Sequence, residues 1–568
     1  MNLDGSNQAA PWVDGLTLDQ VLRATAARRP DADAVVFPAL GLRWSWRDFD
    51  AEVERIARGL STLGVAPGEH LGVWSMNVPE WLVVQFAAAR LAAVLVNVNP
   101  AYRLHELEAA LALADVTTLF IGEPFKTSDF NEMIGRLCPE AAASAATADW
   151  SCARLPKLKR LVTFSPEPSD GRVGWAQLRA AADRNPTAAA AELAQRAHKA
   201  SHHDVFNIQF TSGTTGLPKG AMLTHRNVVM NAYYVGQRLR YTGDDRVCIP
   251  VPFYHCFGCV LGNAVCAVYG ATIVVPAPRF EPEPTLAAVH KERCTAIYGV
   301  PTMFVAELEC PNRAQYDLTS LRTGIMSGAP CPLPLMNEVM NTLAVPEITI
   351  GYGQTEASPI ITLTDVDDPV EIRVGTVGRP LPGLEVGIQA LDTGLEAAPG
   401  EPGELWTRGH GVMAGYYRNA NATATAIDSY GRLFTGDLAV RRPDGCYRIV
   451  GRRKELIIRG GENIHPAEVE EFLHHHPDVS EVAVVGMPDA VYGEVVSAWI
   501  VTKPNANLNP NSIKDFCRGQ IAHYKVPTYV EVIDELPRTV TGKVTKHVLR
   551  ARGIELYHLG DVAATPTA

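Results

Sequence analysis

Along residues 1–450, short runs rich in Val, Ile and Leu alternate with stretches that have a helical spacing of apolar positions. The runs at 71–74, 95–98, 118–121 and 272–275 read as strands, and strands alternating with helices predict a buried, largely parallel sheet. The most apolar stretch, 81–98, is interrupted by Gln85 and Arg90. It therefore predicts a buried helix followed by a strand, with no membrane span. Residues 140–204 carry Ala-rich stretches, which predict helical or loosely ordered surface. No fixed-period repeat is visible.

At Gly451 the texture changes. A charged stretch, 451–455, precedes an apolar triplet, 456–458, then Arg459 and the pair Gly460-Gly461. Beyond it, Pro466 suits the first turn of a helix in which Val469, Phe472 and Leu473 share a face. Strands are expected at 481–485, 495–501 and 528–533, and a helix at 513–521. The chain is thus expected to be an α/β protein of two parts, divided at Arg453. Residues 1–452 form a large N-terminal domain of mixed and parallel sheets flanked by helices, and 453–568 a small α+β domain.

A chain of 568 residues exceeds what one hydrophobic core supports, which agrees with that division. The net charge of −11 disfavours nucleic acid and anionic lipid as partners, while leaving room for a local basic pocket. Eleven cysteines without a disulfide framework suit a reducing compartment. Met1 to Trp12 does not have the build of a secretory signal, so the cytoplasm is the expected location. Cys256 and Cys259, preceded by His255, have metal-like spacing. No second ligand pair matches them, so they read as small residues in an apolar loop.

The densest local signal is Thr211-Ser212-Gly213-Thr214-Thr215-Gly216-Leu217-Pro218-Lys219-Gly220. It follows a strand-like run, 205–210, and precedes Thr224, a cap for a helix beginning near Arg226. Glycines let backbone N–H groups turn inward, hydroxyls add neutral donors, and Lys219 supplies a cation, so the segment suits a polyphosphate. A Walker loop is excluded on spacing, because Pro218 stands where its second glycine belongs and Gly220 where its hydroxyl belongs. A second cluster, Gly351-Tyr352-Gly353-Gln354-Thr355-Glu356, follows the strand-like 348–350. An acid beside a phosphate loop is counterproductive unless a cation lies between them. Glu356 is therefore a candidate magnesium ligand, Thr355 a donor to phosphate, and Tyr352 a flat face for a base. Asp437, after the Gly436 turn, can accept two hydrogen bonds from a ribose diol. Arg452 is a permanent cation, and Gly542 allows a tight loop with Lys543 at its tip.

Taken in order, these stretches resemble the adenylate-forming superfamily of acyl-CoA synthetases, carrier-loading adenylation domains and luciferases, from about Leu16 to Lys546. The look is nearest to acyl-CoA synthetases of the medium-chain fatty acid type, on the stretches 352–359, 373–380 and 457–464. The resemblance implies an AMP-forming ligase that takes a small carboxylic acid, ATP with Mg2+, and coenzyme A. It implies that 211–219 wraps the β- and γ-phosphates, that Gly328, Ala329, Pro330 and Tyr352 bracket adenine, and that Asp437 and Arg452 hold ribose. It further implies that Lys543 is the adenylation lysine and Lys454 the hinge. Gly460, Gly461, Glu462 and Asn463 would line the pantetheine tunnel, and His255 would sit where acyl group and thiol meet. Lys546 departs from the arginine of many relatives but keeps the charge. The alternatives are a benzoate- or cinnamate-like CoA ligase and a free-standing enzyme loading a carrier protein, a fused carrier having no room after Lys546. A homodimer is an allowed assembly.

Overall fold

A computed structural model describes all residues except 1–9, 126–127, 143–149, 166–170, 185, 212–217, 330, 460–461, 490, 505, 507, 519, 540–541 and 564–568. The chain forms two compact units. The first comprises 1–386 and 407–433, the second 387–406 and 434–568. The expected division at Arg453 falls within the second unit.

In the first unit, among the described residues, two sheets dominate. In the eight-stranded one, Gly415–Tyr416, Lys219–Thr224, Val205–Thr211, Val94–Val98 and His70–Trp74 lie side by side, followed by Thr118–Ile121, Arg160–Thr163 and Val173–Gly174. From Val205–Thr211 onward its pairing is parallel. The nine-stranded one has a parallel centre in which Thr323–Ser327 lies between Ala296–Gly299 and Glu347–Gly353. The expected strands at 71–74, 95–98, 118–121 and 272–275 all fall inside observed ones or overlap them. The apolar stretch divides as expected into helix Pro79–Arg90 and strand Val94–Val98, and no described helix is long and apolar enough to cross a membrane. Thr224 caps helix His225–Arg238, its hydroxyl accepting from the Asn227 N–H. Of the Ala-rich region, Trp175–Asp183 and Pro186–Lys199 are helices.

The second unit holds most of a four-stranded sheet containing Leu433–Arg441 and Tyr447–Arg452, and a five-stranded sheet built on Val479–Asp489 and Gly493–Thr502. Helix Pro466–Leu473 buries Val469 and Leu473 against that second sheet, with Phe472 half-buried beside them. The helix expected at 513–521 runs from Pro510 to Cys517 instead. Asn509 caps it and Pro510 occupies its first turn, while Arg518 is already extended with ψ of 126°.

The first unit's helices are tied by one buried cation. Arg90 is fully buried, with Nε 2.6 Å from Asp19 and Nη1 3.2 Å from Glu54, and it also pairs with Asp50. These partners join helices Leu18–Arg28 and Trp46–Thr62 to the end of Pro79–Arg90. Arg90→Met would leave the buried Asp19 with only the half-exposed Arg23, 3.0 Å away, as its cation. We expect it to lower stability by about 3–5 kcal/mol, read from the urea midpoint of the first unit.

Two buried histidines add a pH dependence. His225 accepts the Leu18 N–H at 3.3 Å, and burial brings its pKa down to about 4. Burial does the same for His410, which stacks on Tyr234 with ring centroids 5.1 Å apart. A folded-state pKa below the unfolded value of about 6.5 means that the unfolded chain binds more protons. The contribution is therefore full above pH 6.5 and lost as pH falls toward 4, by about 3 kcal/mol for each ring. His225→Gln, which keeps an acceptor for Leu18, is expected to flatten this slope in denaturant titrations across that range.

Candidate active site

Strand Val205–Thr211 returns as Lys219–Thr224, with Thr211 opposite Lys219 in the antiparallel register. Ser212, Gly213, Thr214, Thr215 and Gly216 lie outside the described residues, but the ends of their segment stand side by side. A third short strand, Gly415–Tyr416, pairs with Lys219–Thr224 and places Tyr416 opposite Ala221.

The second cluster comes from the nine-stranded sheet. Strand Glu347–Gly353 ends at a glycine whose Cβ, if present, would lie 1.8 Å from the Pro359 carbonyl oxygen. Only glycine lets the chain double back there, and the Gln354 N–H then donates to that same oxygen at 2.9 Å. The reversal contains the short helical turn Thr355–Ala357, in which Thr355 and Glu356 are both buried. Gly328 and Ala329 leave the neighbouring parallel strand, whose Ser327 is in register with Gly351, and Gly328 has φ of +93°. Pro330 lies outside the described residues. Gly328-Ala329 and the half-buried Tyr352 thus emerge at the carboxyl ends of adjacent parallel strands, where open α/β sheets bind ligands.

Glu356 joins the two sheets. The Thr211 hydroxyl donates to its Oε1 at 3.0 Å and the Tyr416 phenol donates to the same oxygen at 2.9 Å. Burial and the Glu356 carboxylate raise the Tyr416 pKa far above its ordinary value, so the phenol remains a donor. Lys219 Nζ sits 5.1 Å from the Tyr416 ring centroid, which brings a cation to the same cluster. Beside it, Cys256 Sγ lies 3.7 Å from Thr355 Oγ1 and 3.6 Å from His255 Nδ1. His255 caps the turn Cys256–Gly258 by accepting the Phe257 N–H on Nδ1 at 3.2 Å, which leaves Nε2 to carry the proton of the neutral ring. Thr211, Lys219, Thr355, Glu356 and His255 are therefore drawn into one region of the first unit.

Tyr416 and Cys256 are the members that sequence reasoning missed. Adjacent tyrosines at 416 and 417 gave no chemical signal, and Cys256 read as filler. Cys256 and Cys259 do not act as a pair. Cys256 faces Thr355, while Cys259 Sγ accepts from Asn97 and Gln209.

In the second unit, Asp437 and Arg452 stand opposite each other on paired strands, with Arg452 Nε 2.9 Å from Asp437 Oδ1. Gly436 takes φ of +73° and its N–H donates to Glu404, which also pairs with Arg453 at 2.8 Å. Lys454 is exposed on the short helical turn Arg453–Glu455. Gly460 and Gly461 lie outside the described residues, and Glu462 and Asn463 belong to strand Glu462–Ile464. Lys543 is exposed, on a loop closed by main-chain Thr539 N–H to Lys543 O at 2.8 Å and turned at Gly542 with φ of +83°. Lys546 Nζ is 2.7 Å from Glu470 and 3.5 Å from Glu455, so its charge is engaged within its own unit.

Two family models match, that of the AMP-binding enzymes over residues 22–417 and that of the AMP-binding enzyme C-terminal domain over 468–543. The chain belongs to the AMP-binding enzyme family, and it is an AMP-forming acid–thiol ligase. It is 45% identical over 545 residues to a putative acyl-CoA synthetase, YngI, of Bacillus subtilis, covering 96% of this chain and 98% of that one. It is 41% identical over 539 residues to the mitochondrial medium-chain acyl-CoA ligase ACSF2 of Danio rerio, covering 94% and 88%. Among solved structures, ATP-bound MatB from Rhodopseudomonas palustris superposes with a TM-score of 0.78 at 28% identity, over 95% of this chain and all of that one.

Tyr416→Phe removes one of the two hydroxyls that, among the described residues, donate to the Glu356 carboxylate. A hydrogen bond to a charged group is worth about 1.5–3 kcal/mol, so we expect adenylation to fall roughly 10- to 100-fold with the fold retained. Pyrophosphate release and circular dichroism on the same sample check both parts.

Proposed function

We propose that this ligase activates a medium-chain fatty acid with ATP and passes the acyl group to coenzyme A. The observation that carries the reading is the Glu356 carboxylate, oriented by Thr211 and Tyr416 at one end of the glycine- and threonine-rich segment. The medium-chain assignment is supported by the similarity to the medium-chain acyl-CoA ligase ACSF2 and by the apolar character of 251–262 and 300–304.

In this reading residues 211–219 receive the β- and γ-phosphates, Gly328, Ala329, Pro330 and Tyr352 receive adenine, and Asp437 with Arg452 receives ribose. A carboxylate held by two hydroxyl donors is a hard oxygen ligand, and one such ligand fits Mg2+ carried mainly by phosphate oxygens and water. When bound, the ion supplies charge neutralisation to the triphosphate. A carboxylic acid substrate resists nucleophiles because it is already an anion with a poor leaving group. Attack of its oxygen on the α-phosphorus of ATP forms a mixed anhydride and releases pyrophosphate. The protein contributes position and charge to that step, with Lys219 and Lys543 offsetting the negative charge that gathers there. The coenzyme A thiol then attacks the acyl carbon and AMP departs. We assign Lys543 to the first half-reaction only, Lys454 to the hinge, and residues 460–463 to the pantetheine path. The eleven thiols support a reducing compartment, and we propose the cytosol.

Release of pyrophosphate and AMP across a panel of straight-chain and aromatic carboxylic acids tests the reading. Fastest turnover of medium-chain acids is expected, whereas ADP as product or a preference for benzoate-like acids would overturn it. Lys543→Ala is expected to slow adenylation by roughly 10²–10³-fold, the scale of losing one donor to transition-state charge. Thioester formation from added acyl-adenylate should be nearly spared, and equal loss in both half-reactions would contradict the assignment.

A further inference from the structure

Central strands of a parallel sheet are expected to be apolar on both faces, yet two of them here carry three amides. Asn97 lies in strand Val94–Val98, in register with Gln209 of strand Val205–Thr211, and Asn207 precedes Gln209 by two. All three are at most 3% exposed. Gln209 Nε2 donates to Asn207 Oδ1 at 2.6 Å, and Asn207 Nδ2 donates to Asn97 Oδ1 at 3.0 Å. Asn97 Nδ2 in turn donates to the Tyr254 carbonyl at 3.1 Å. The Asn97 and Gln209 amides also reach Cys259 Sγ, at 3.5 and 3.4 Å.

The same segment is gripped by two further amides. Asn77 Nδ2 donates to the Val251 carbonyl at 2.9 Å, and its Oδ1 accepts the Phe253 N–H at 2.8 Å. Gln85, on helix Pro79–Arg90, donates to the Cys259 carbonyl at 2.9 Å and accepts from Asn263 at 2.9 Å. Between those anchors the Trp81 ring packs on Phe253 with centroids 5.4 Å apart. Residues Cys259–Ala264 form a π-helix, a rare geometry that concentrates at functional positions. Buried amides cost free energy unless each is partnered, and a partnered network yields little more stability than apolar packing of the same shape. Here Asn263 Oδ1 is buried without a partner among the described residues, and the other amides grip the backbone of 251–263, the stretch that carries His255.

We propose that Asn77, Gln85, Asn97 and Gln209 are positioning residues for the acyl side of the reaction. They fix residues 251–263, and with them His255 and the wall facing the tail of the acid, and so set which acids are accepted. The inference rests on the acyl-CoA ligase reading for its substrate, while the positioning itself is measurable without turnover.

The test uses Gln85→Met, which keeps length and loses the donor to Cys259 O, in the full-length protein. Hydrogen exchange is expected to accelerate at 251–264 while the strands of the two sheets keep their protection. The KM for the preferred acid should rise about tenfold, the worth of one buried hydrogen bond, with KM for ATP within about twofold. The preference between short and long straight-chain acids should flatten. Cys259→Ala removes the sulfur acceptor of two amides but leaves the Gln85 bond. It is expected to act in the same direction by about threefold, and it serves as the second variant if Gln85→Met does not fold. Unchanged exchange at 251–264 with an unchanged acid preference would overturn the proposal. So would acid and ATP KM rising together, or failure of both variants to fold, because each marks a network that is structural only. If the wild-type protein releases AMP with no acid, the proposed function fails, and the exchange experiment still decides the positioning.

Discussion

In the proposed reading Glu356 stands next to a segment that receives phosphate, and its charge would repel that ligand. At contact distance that repulsion reaches several kcal/mol at the effective dielectric near a protein surface, which is the ground for proposing a cation between them. Much of the first unit can be understood as the means of keeping Glu356 there. Its oxygen is held by a hydroxyl from 145 residues upstream and a phenol from 60 residues downstream. One donor lies on a central strand of the eight-stranded sheet, the other on its edge, and the acid itself on a turn leaving the nine-stranded sheet. Neither sheet alone completes the arrangement, which explains why so long a chain is needed for so small a cluster.

The fold was legible wherever short-range physics decides it. The strands at 71–74 and 118–121, the helix-then-strand division of 81–98 and the Thr224 cap all follow from periodicity and capping chemistry. Glu356 stands out in the sequence as an acid in a glycine- and threonine-containing turn, and the structure buries it against Thr211 and Tyr416. Tyr416 does not stand out, because its role depends on a two-residue strand joining an edge far away in sequence. The helix expected at 513–521 starts earlier, at Pro510, because Asn509 caps it and proline suits its first turn. The amides at 97, 207 and 209 escaped notice for the same reason as Tyr416. Within their strands they look like interruptions, and only the fold supplies the partners that make them acceptable in a core.

The contrast between the two units is also chemical. In the first, the buried cation Arg90 is matched by three acids, whereas Glu307 is buried with neither carboxyl oxygen hydrogen-bonded among the described residues. In the second, the candidate groups Lys454 and Lys543 stand in solvent, and Asp437 and Arg452 already answer each other. If Asp437 receives ribose as proposed, the sugar must compete with, or share, the ion pair to Arg452.

The strand Gly415–Tyr416 is also held by its register. Side chains alternate across a sheet with a period of two, and this strand meets its neighbour at only two positions, Met222 and Ala221. Adding or deleting a single residue in the connection just before it would rotate the phenol to the opposite surface, whatever the inserted letter. Chain count, more than chemical identity, is the quantity that this connection has to preserve.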